Sequence, residues 1–101
     1  MEKIICSAIW YKEMNTARYL PINVDRGVVV CGHRHPHCIH TFVALTGIRS
    51  VKSECGENVQ GFLTDENRFV DRKEAMMIAK NANQLLEPEI VGSHLFSEDI
   101  Y

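Results

Sequence analysis

The sequence predicts an α+β domain in which an antiparallel sheet of about four to six strands packs against two helices. Three observations lead there. Short apolar runs, several of them β-branched, fall at residues 3–10, 28–31, 59–64 and 68–70, most of them bounded by Gly, Asn, Asp or other turn residues. Two other stretches repeat their apolar residues every three or four positions, which is the helical period. The chain has 101 residues with 46% apolar and 24% charged content. That is enough for one core and far too short for several, so residues 1–101 are read as a single domain.

Residues 3–10 are apolar at most positions, as suits a strand covered on both faces. Beyond a polar turn at 12–16, residues 17–24 alternate loosely but contain Pro21. Proline lacks the N–H that a central ladder needs, so this segment reads as an edge strand or an extended loop. Asp25, Arg26 and Gly27 turn the chain into 28–31, a β-branched strand expected inside the sheet. From Pro36 to Leu45, with Thr46 just beyond, Ile39, Phe42 and Val43 follow helical spacing, and Gly47 is a C-terminal stop. Residues 51–58 are polar and read as a loop or weak strand before the strand at 59–64. Asp65, Glu66 and Asn67 then turn the chain into a short return strand.

The clearest local signal is Asp71-Arg72-Lys73-Glu74. Asp71 caps a helix, and Glu74, its third residue, is placed to reach back in a capping box. The stripe Ala75, Ile78, Ala79, Ala82, Leu85 and Leu86 extends this helix to Glu87-Pro88. The closing stretch keeps Leu95, Phe96, Ile100 and Tyr101, which implies docking on the sheet or on a neighbouring subunit.

A formal charge of −2 offers no long-range attraction for a polynucleotide or an anionic membrane. No signal peptide or membrane-spanning stretch is present, so a cytoplasmic protein is expected. The four cysteines, Cys6, Cys31, Cys38 and Cys55, are accordingly expected as free thiols. A domain this small buries limited surface, and a homo-oligomer, dimer or higher, is expected to bury more.

Residues 31–40, CGHRHPHCIH, hold four of the five histidines and form the turn from strand to helix. Such a turn directs unpaired N–H groups and the positive end of a helix dipole outward, where a phosphate or carboxylate binds. Arg34 adds a bidentate donor. Competing chemistries stand beside this one. Cys31, His33, His37, Cys38 and His40 supply zinc donors, but nearly all crowd one turn instead of tying two chain segments together. The alternation His33-x-His35-x-His37 is similar to that of the histidine-triad nucleotide hydrolases and transferases, yet Arg34 and Pro36 stand where apolar strand residues belong. A Cys-His nucleophilic pair has no thiol singled out for it. The plainest alternative is that neutral imidazoles satisfy orphaned backbone groups at the helix start. A second cluster, Phe62, Asn67, Arg68, Phe69, Asp71 and Arg72, supplies an aromatic for a base, arginines for phosphate, and Asn and Asp for base and ribose edges.

Three pieces of the chain, VVVCGHRHPHCI at 28–39, GFLTDENRFVDRKEA at 61–75 and LFSEDIY at 95–101, resemble a family of small phage-encoded proteins. The second piece is the most specific and is similar to the anti-Thoeris sponge proteins. The resemblance implies an oligomer that sequesters cyclic ADP-ribose isomers, and in some relatives cyclic oligonucleotides, without cleaving them. It implies sites between protomers, with an arginine and an aromatic stacking adenine and with Asn, Asp and Arg on ribose and phosphate. Carried onto this chain, the site residues are Arg34, Phe62, Asn67, Asp71 and Arg72, with His35 and Arg68 as second choices. The function expected is therefore non-enzymatic binding of a small nucleotide-derived immune signal, with no catalytic residue, cofactor or metal. A small phosphoesterase or nucleotidyl hydrolase using the histidine turn, and a zinc-stabilised interaction module, are the alternatives. The absence of paired carboxylates or a spaced Ser/His/Asp set favours the binder.

Overall fold

The computed structural model describes residues 1–89 and 92–101. Strands β1 (Ile4–Tyr11), β2 (Val28–Gly32), β3 (Asn58–Thr64) and β4 (Phe69–Asp71) form one antiparallel sheet in the order β2-β1-β3-β4. Helix α1 (His35–Thr46), the short turn α2 (Lys52–Cys55) and helix α3 (Arg72–Asn81) join it, with a 3-10 turn over Ser97–Asp99. The α+β class with helices against an antiparallel sheet is therefore the observed architecture.

β1 is central because it is the longest strand and is apolar on both faces. On one face, Ile9 and Tyr11 pack under α1 with Val28 and Val30, and Phe42 stacks on Tyr11 at 3.8 Å between ring centroids. On the same face, Phe62 and Val70 pack under Ala75, Met76 and Ala79 of α3. The opposite face carries Ala8, Trp10, Val29, Leu63 and Phe69 and is covered by Leu20 and Val24. Both helices thus lie on one side, and the loop between β1 and β2 lies on the other.

The structure corrects several expectations. β2 is an edge strand instead of an interior one, while residues 17–24 take the extended-loop alternative. β3 takes the second side of β1, while the chain leaves β2 directly into α1, so no strand reaches the outer side of β2. Residues 51–58 contain α2, which buries Cys55. Asp71 does cap α3, its Oδ1 accepting from Glu74 N at 2.8 Å. Glu74 does not reach back, because its carboxylate accepts from Arg68 Nη2 at 2.8 Å. α3 stops at Asn81, well short of Pro88. Asn83 turns left-handed at φ 56°, and the Gln84 amide leaves the helix axis to bracket Ile4, accepting from Ile4 N at 2.8 Å and donating to Ile4 O at 2.9 Å. Ile4 is the first residue of β1, so this side chain stands in for a missing neighbouring strand.

The apolar closing stretch docks on its own sheet. Leu95 and Ile100 join Ile4, Phe62, Val70 and Leu85 in the core. The Tyr101 hydroxyl accepts from Ser7 N at 3.1 Å. Burial of each such side chain contributes roughly 1.5–3 kcal/mol.

Phe62 is 0% exposed and lies at the centre of this cluster. Phe62→Ala is expected to lower stability by ~3–5 kcal/mol, read as a shift of the urea midpoint with an unchanged slope. A loss under about 1 kcal/mol would contradict a core role.

Candidate functional site

The N-termini of α1 and α3 meet above β3. β2 hands over to α1 through His33 and Arg34. Arg34 is extended at φ −130° and ψ 160° and occupies the N-cap, with Pro36 in the first turn, where its missing N–H costs nothing. This geometry turns His35 inward until it is only 6% exposed. His35 Nε2 donates to Gly61 O at 2.8 Å, and Nδ1 accepts from Arg72 Nη2 at 3.3 Å. The tautomer follows from those partners, since a carbonyl needs a donor and a guanidinium needs a lone pair. Its ring stands edge-on to Phe62 at 5.2 Å.

Gly61 fits the close approach of β3 to β4 at this point. A Cβ there would lie 2.1 Å from the Val70 carbonyl oxygen, a backbone atom that cannot yield without opening the β3–β4 ladder. Glycine lets β3 and β4 pair closely with Gly61 beneath the imidazole.

Arg72, the first residue of α3, donates from Nη1 to Leu95 O and from Nη2 to Gln60 Oε1, both at 2.8 Å, and lies 4.8 Å over the Phe96 ring. Arg34 donates from Nη2 to Tyr101 O and lies 5.0 Å over the Tyr101 ring. Its Nη1 is buried, makes no hydrogen bond among the described residues, and sits 3.9 Å from Glu98. Arg34, His35, Arg72, Phe96, Ser97 and Glu98 line a cleft of about 260 Å³. Phe96 is 49% exposed there. Two guanidiniums, two helix N-termini and a half-open aromatic ring give this cleft the chemistry of a site for an anion bearing a flat ring.

Burial holds the His35 pKa below the usual histidine value; the nearby Arg72 charge adds to this, and the Gly61 bond opposes it. Burial likewise draws the Arg72 guanidinium down.

Of the residues expected to form the site, the structure brings together Arg34, His35 and Arg72 and disperses the others. Phe62 is core beneath the cleft, so it cannot stack on a base. Arg68 is committed to Glu2, at 2.9 Å from both Nε and Nη2, and to Glu74, so its charge is neutralised locally. Asp71 caps α3 and lines a hollow beside Trp10 on the other side of the sheet. Asn67 sits exposed in the β3–β4 turn at φ 57°, its carbonyl accepting from Ile22 N at 2.8 Å. Alternation along β4 accounts for Asp71, which points to the face opposite Val70, while Asn67 and Arg68 lie between β3 and β4. Phe96, Ser97 and Glu98 belong to the cleft and were not among the expected residues, because only chain closure brings 96–98 next to residue 34.

The histidine turn separates in the same way. His33, His37 and His40 are exposed around the start of α1. Among the described residues, no three His, Cys, Asp or Glu side chains gather into a metal-holding group. Cys6 on β1 and Cys31 on β2 lie close together, the neighbouring Cys31 thiol holding Cys6 below the ordinary thiol value.

A histidine held neutral in the fold makes stability depend on pH with a definite sign. Below the ordinary value near ~6.5 the unfolded chain takes up a proton that folded His35 refuses. The contribution is therefore complete above ~6.5 and is lost as pH falls through the lower folded value. The melting temperature is expected to fall between pH 7 and pH 5, above the range in which Glu2, held low by Arg68, titrates. His35→Gln should flatten that slope. An equal slope in both proteins would show that His35 is not its source.

No curated protein and no solved structure matches the chain. No helix among the described residues is long and apolar enough to cross a membrane. A family model described as phage T4 y16D protein matches residues 3–101. With nearly the whole sequence aligned, including both helix starts and the segment that closes the cleft, the chain belongs to the phage T4 y16D protein family.

Proposed function

We propose that this phage protein binds and sequesters a small nucleotide-derived signal, such as a cyclic ADP-ribose isomer or a cyclic oligonucleotide, without cleaving it, and so blunts a host defence in the cytoplasm. The observation that carries this reading is the cleft between α1 and α3. There Arg34 Nη1 is buried without a hydrogen-bond partner among the described residues, Arg72 stands across from it, and Phe96 presents an open ring. A phosphate between the two arginines would satisfy the orphaned donor and draw on both helix N-termini. A base would lie on the open side of Phe96, taking the role the resemblance assigned to an aromatic at position 62.

Binding without turnover fits the imidazole. His35 is the one histidine lining the cleft, and both its nitrogens are engaged, by Gly61 O and by Arg72. A general base needs a free lone pair within reach of the proton it removes. The nearest carboxylate, Glu98, faces Arg34 at 3.9 Å and serves as the guanidinium's counterion until an anion arrives.

The test is to incubate the protein with a panel of cyclic ADP-ribose isomers and cyclic dinucleotides, remove free compound, denature, and identify what is released by mass spectrometry. An intact nucleotide is expected. Charge-assisted hydrogen bonds contribute roughly 1.5–3 kcal/mol, so Arg34→Ala and Arg72→Ala should each weaken binding about tenfold to a hundredfold. Phe96→Ala should weaken it by up to about tenfold. Melting curves must show that the variants remain folded. Release of a cleaved product would favour the phosphoesterase instead, and retention of nothing would remove the proposal.

A further inference from the structure

The two edges of the sheet are finished differently. The β4 edge is closed by the loop between β1 and β2: Asn23 Nδ2 donates to Phe69 O at 2.6 Å, Asn23 Oδ1 accepts from Phe69 N at 2.8 Å, and Ile22 N donates to Asn67 O at 2.8 Å. The asparagine amide thus occupies the position of a neighbouring strand. The β2 edge is held only just before the strand, where Gly27 O accepts from Ala17 N at 3.0 Å and Gly27 N donates to Thr16 Oγ1 at 3.2 Å; along Val29 and Cys31 no such cover is present among the described residues.

The phase of the ladder shows which groups are left open there. Lys12 N donates to Glu57 O at 3.2 Å, continuing the β1–β3 pairing of Trp10 with Val59 and Ala8 with Gly61. Even-numbered residues of β1 therefore direct their backbone to β3, and odd-numbered ones direct theirs to β2, where Ile9 meets Val30 and Tyr11 meets Val28. Val29 and Cys31 then point their N–H and C=O groups outward. The strand, Val-Val-Val-Cys-Gly, carries none of the devices that normally blunt an edge: no lysine, no proline and no inward charge.

α1 continues this surface. It packs on β1 and β2, and Gly32 abuts it closely, a Cβ there lying 3.0 Å from His37 Cβ. His37, Thr41 and Leu45 form an i, i+4, i+8 row on that flank, all exposed, with Leu45 at 79%.

We propose that β2 pairs antiparallel with β2 of a second copy across a two-fold axis, joining the two sheets into one and laying the two α1 helices side by side. An antiparallel edge is its own complement, so a second copy needs no further sequence code. The spacing also fits. With strands ~4.8 Å apart and each α1 seated over β1 and β2, the paired helices come to roughly 10 Å, the distance at which helices pack. Leu45 of each copy then meets the partner's α1. A lone foreign strand would cover the edge but leave Leu45 in water.

Sedimentation velocity of the full chain tests this. The wild type should sediment at twice its 11.5 kDa chain mass at micromolar concentration. Hydrogen exchange at the Val29 and Cys31 amides should slow as concentration rises. Cys31→Pro removes an outward N–H that the monomer does not use and should give a folded monomer. Leu45→Glu alters only an exposed residue and should raise the dimer dissociation constant roughly tenfold or more by placing a charge where the pairing would cover an apolar side chain. Met77→Glu, at an exposed apolar position on α3, should leave the dimer intact. A wild type that stays monomeric, a dimer that survives both β2-side changes, or one broken by Met77→Glu overturns the proposal.

Discussion

Bringing the N-termini of α1 and α3 to one end of the same sheet face concentrates positive potential, and the rest of the structure is arranged around that concentration. Two helix dipoles and two guanidiniums converge there, and a protonated imidazole among them would add a fifth positive source. The fold meets the constraint by keeping His35 neutral. Its Nε2–H goes to Gly61 O and its lone pair receives Arg72, so the imidazole links both helix starts to β3 without adding charge. Backbone carbonyls do the remainder: Leu95 O accepts from Arg72 and Tyr101 O from Arg34, with Glu98 nearby. The closing segment is thus held at two points by the two arginines that line the cleft. The cleft keeps its two guanidiniums aligned, and one donor, Arg34 Nη1, remains unused.

Side-chain amides serve as substitute strands elsewhere. Asn23 brackets Phe69 at the β4 edge, and Gln84 brackets Ile4 at the start of β1. Each supplies a donor and an acceptor to one residue's backbone, the same service a ladder neighbour would give. A four-stranded sheet has many unpaired backbone groups relative to its size, and in a chain of this length two amides close positions that additional strands would close in a larger domain. The contrast with the bare β2 edge follows from this economy.

Charge away from the cleft is neutralised locally. Arg68 joins Glu2 before β1 to Glu74 in α3, fastening the amino-terminal residues to the helix that follows β4. Its Glu2 partner also accepts from Thr64 Oγ1 at 2.7 Å, so the carboxylate has three hydrogen bonds. An arginine that reads as a phosphate ligand in the sequence is therefore a structural tie, and Arg72, at the start of α3, is the one that lines the cleft.

Much of the fold was legible in the linear chain, for local reasons. Asp71 caps α3 because an aspartate oxygen three residues before a backbone N–H satisfies it regardless of what packs nearby, and Gly47 ends α1 at φ 71° because glycine tolerates that conformation. The strands at 4–11 and 58–64 announced themselves through apolar content, and Arg34, His35 and Arg72 through their positions at helix starts. Tertiary structure decided the rest. Whether Phe62 or Phe96 meets the cleft depends on which face of β3 lies under α3 and on where the closing segment docks. That Arg68 is tied away from the cleft depends on Glu2, distant in sequence. Helix α3 ends at Asn81 because Gln84 is drawn to Ile4, a contact across eighty positions. Sequence determines what each residue can do within one turn or one strand; which partner it finally meets is settled by long-range packing, whose energies are comparable to the local ones and have no local signature.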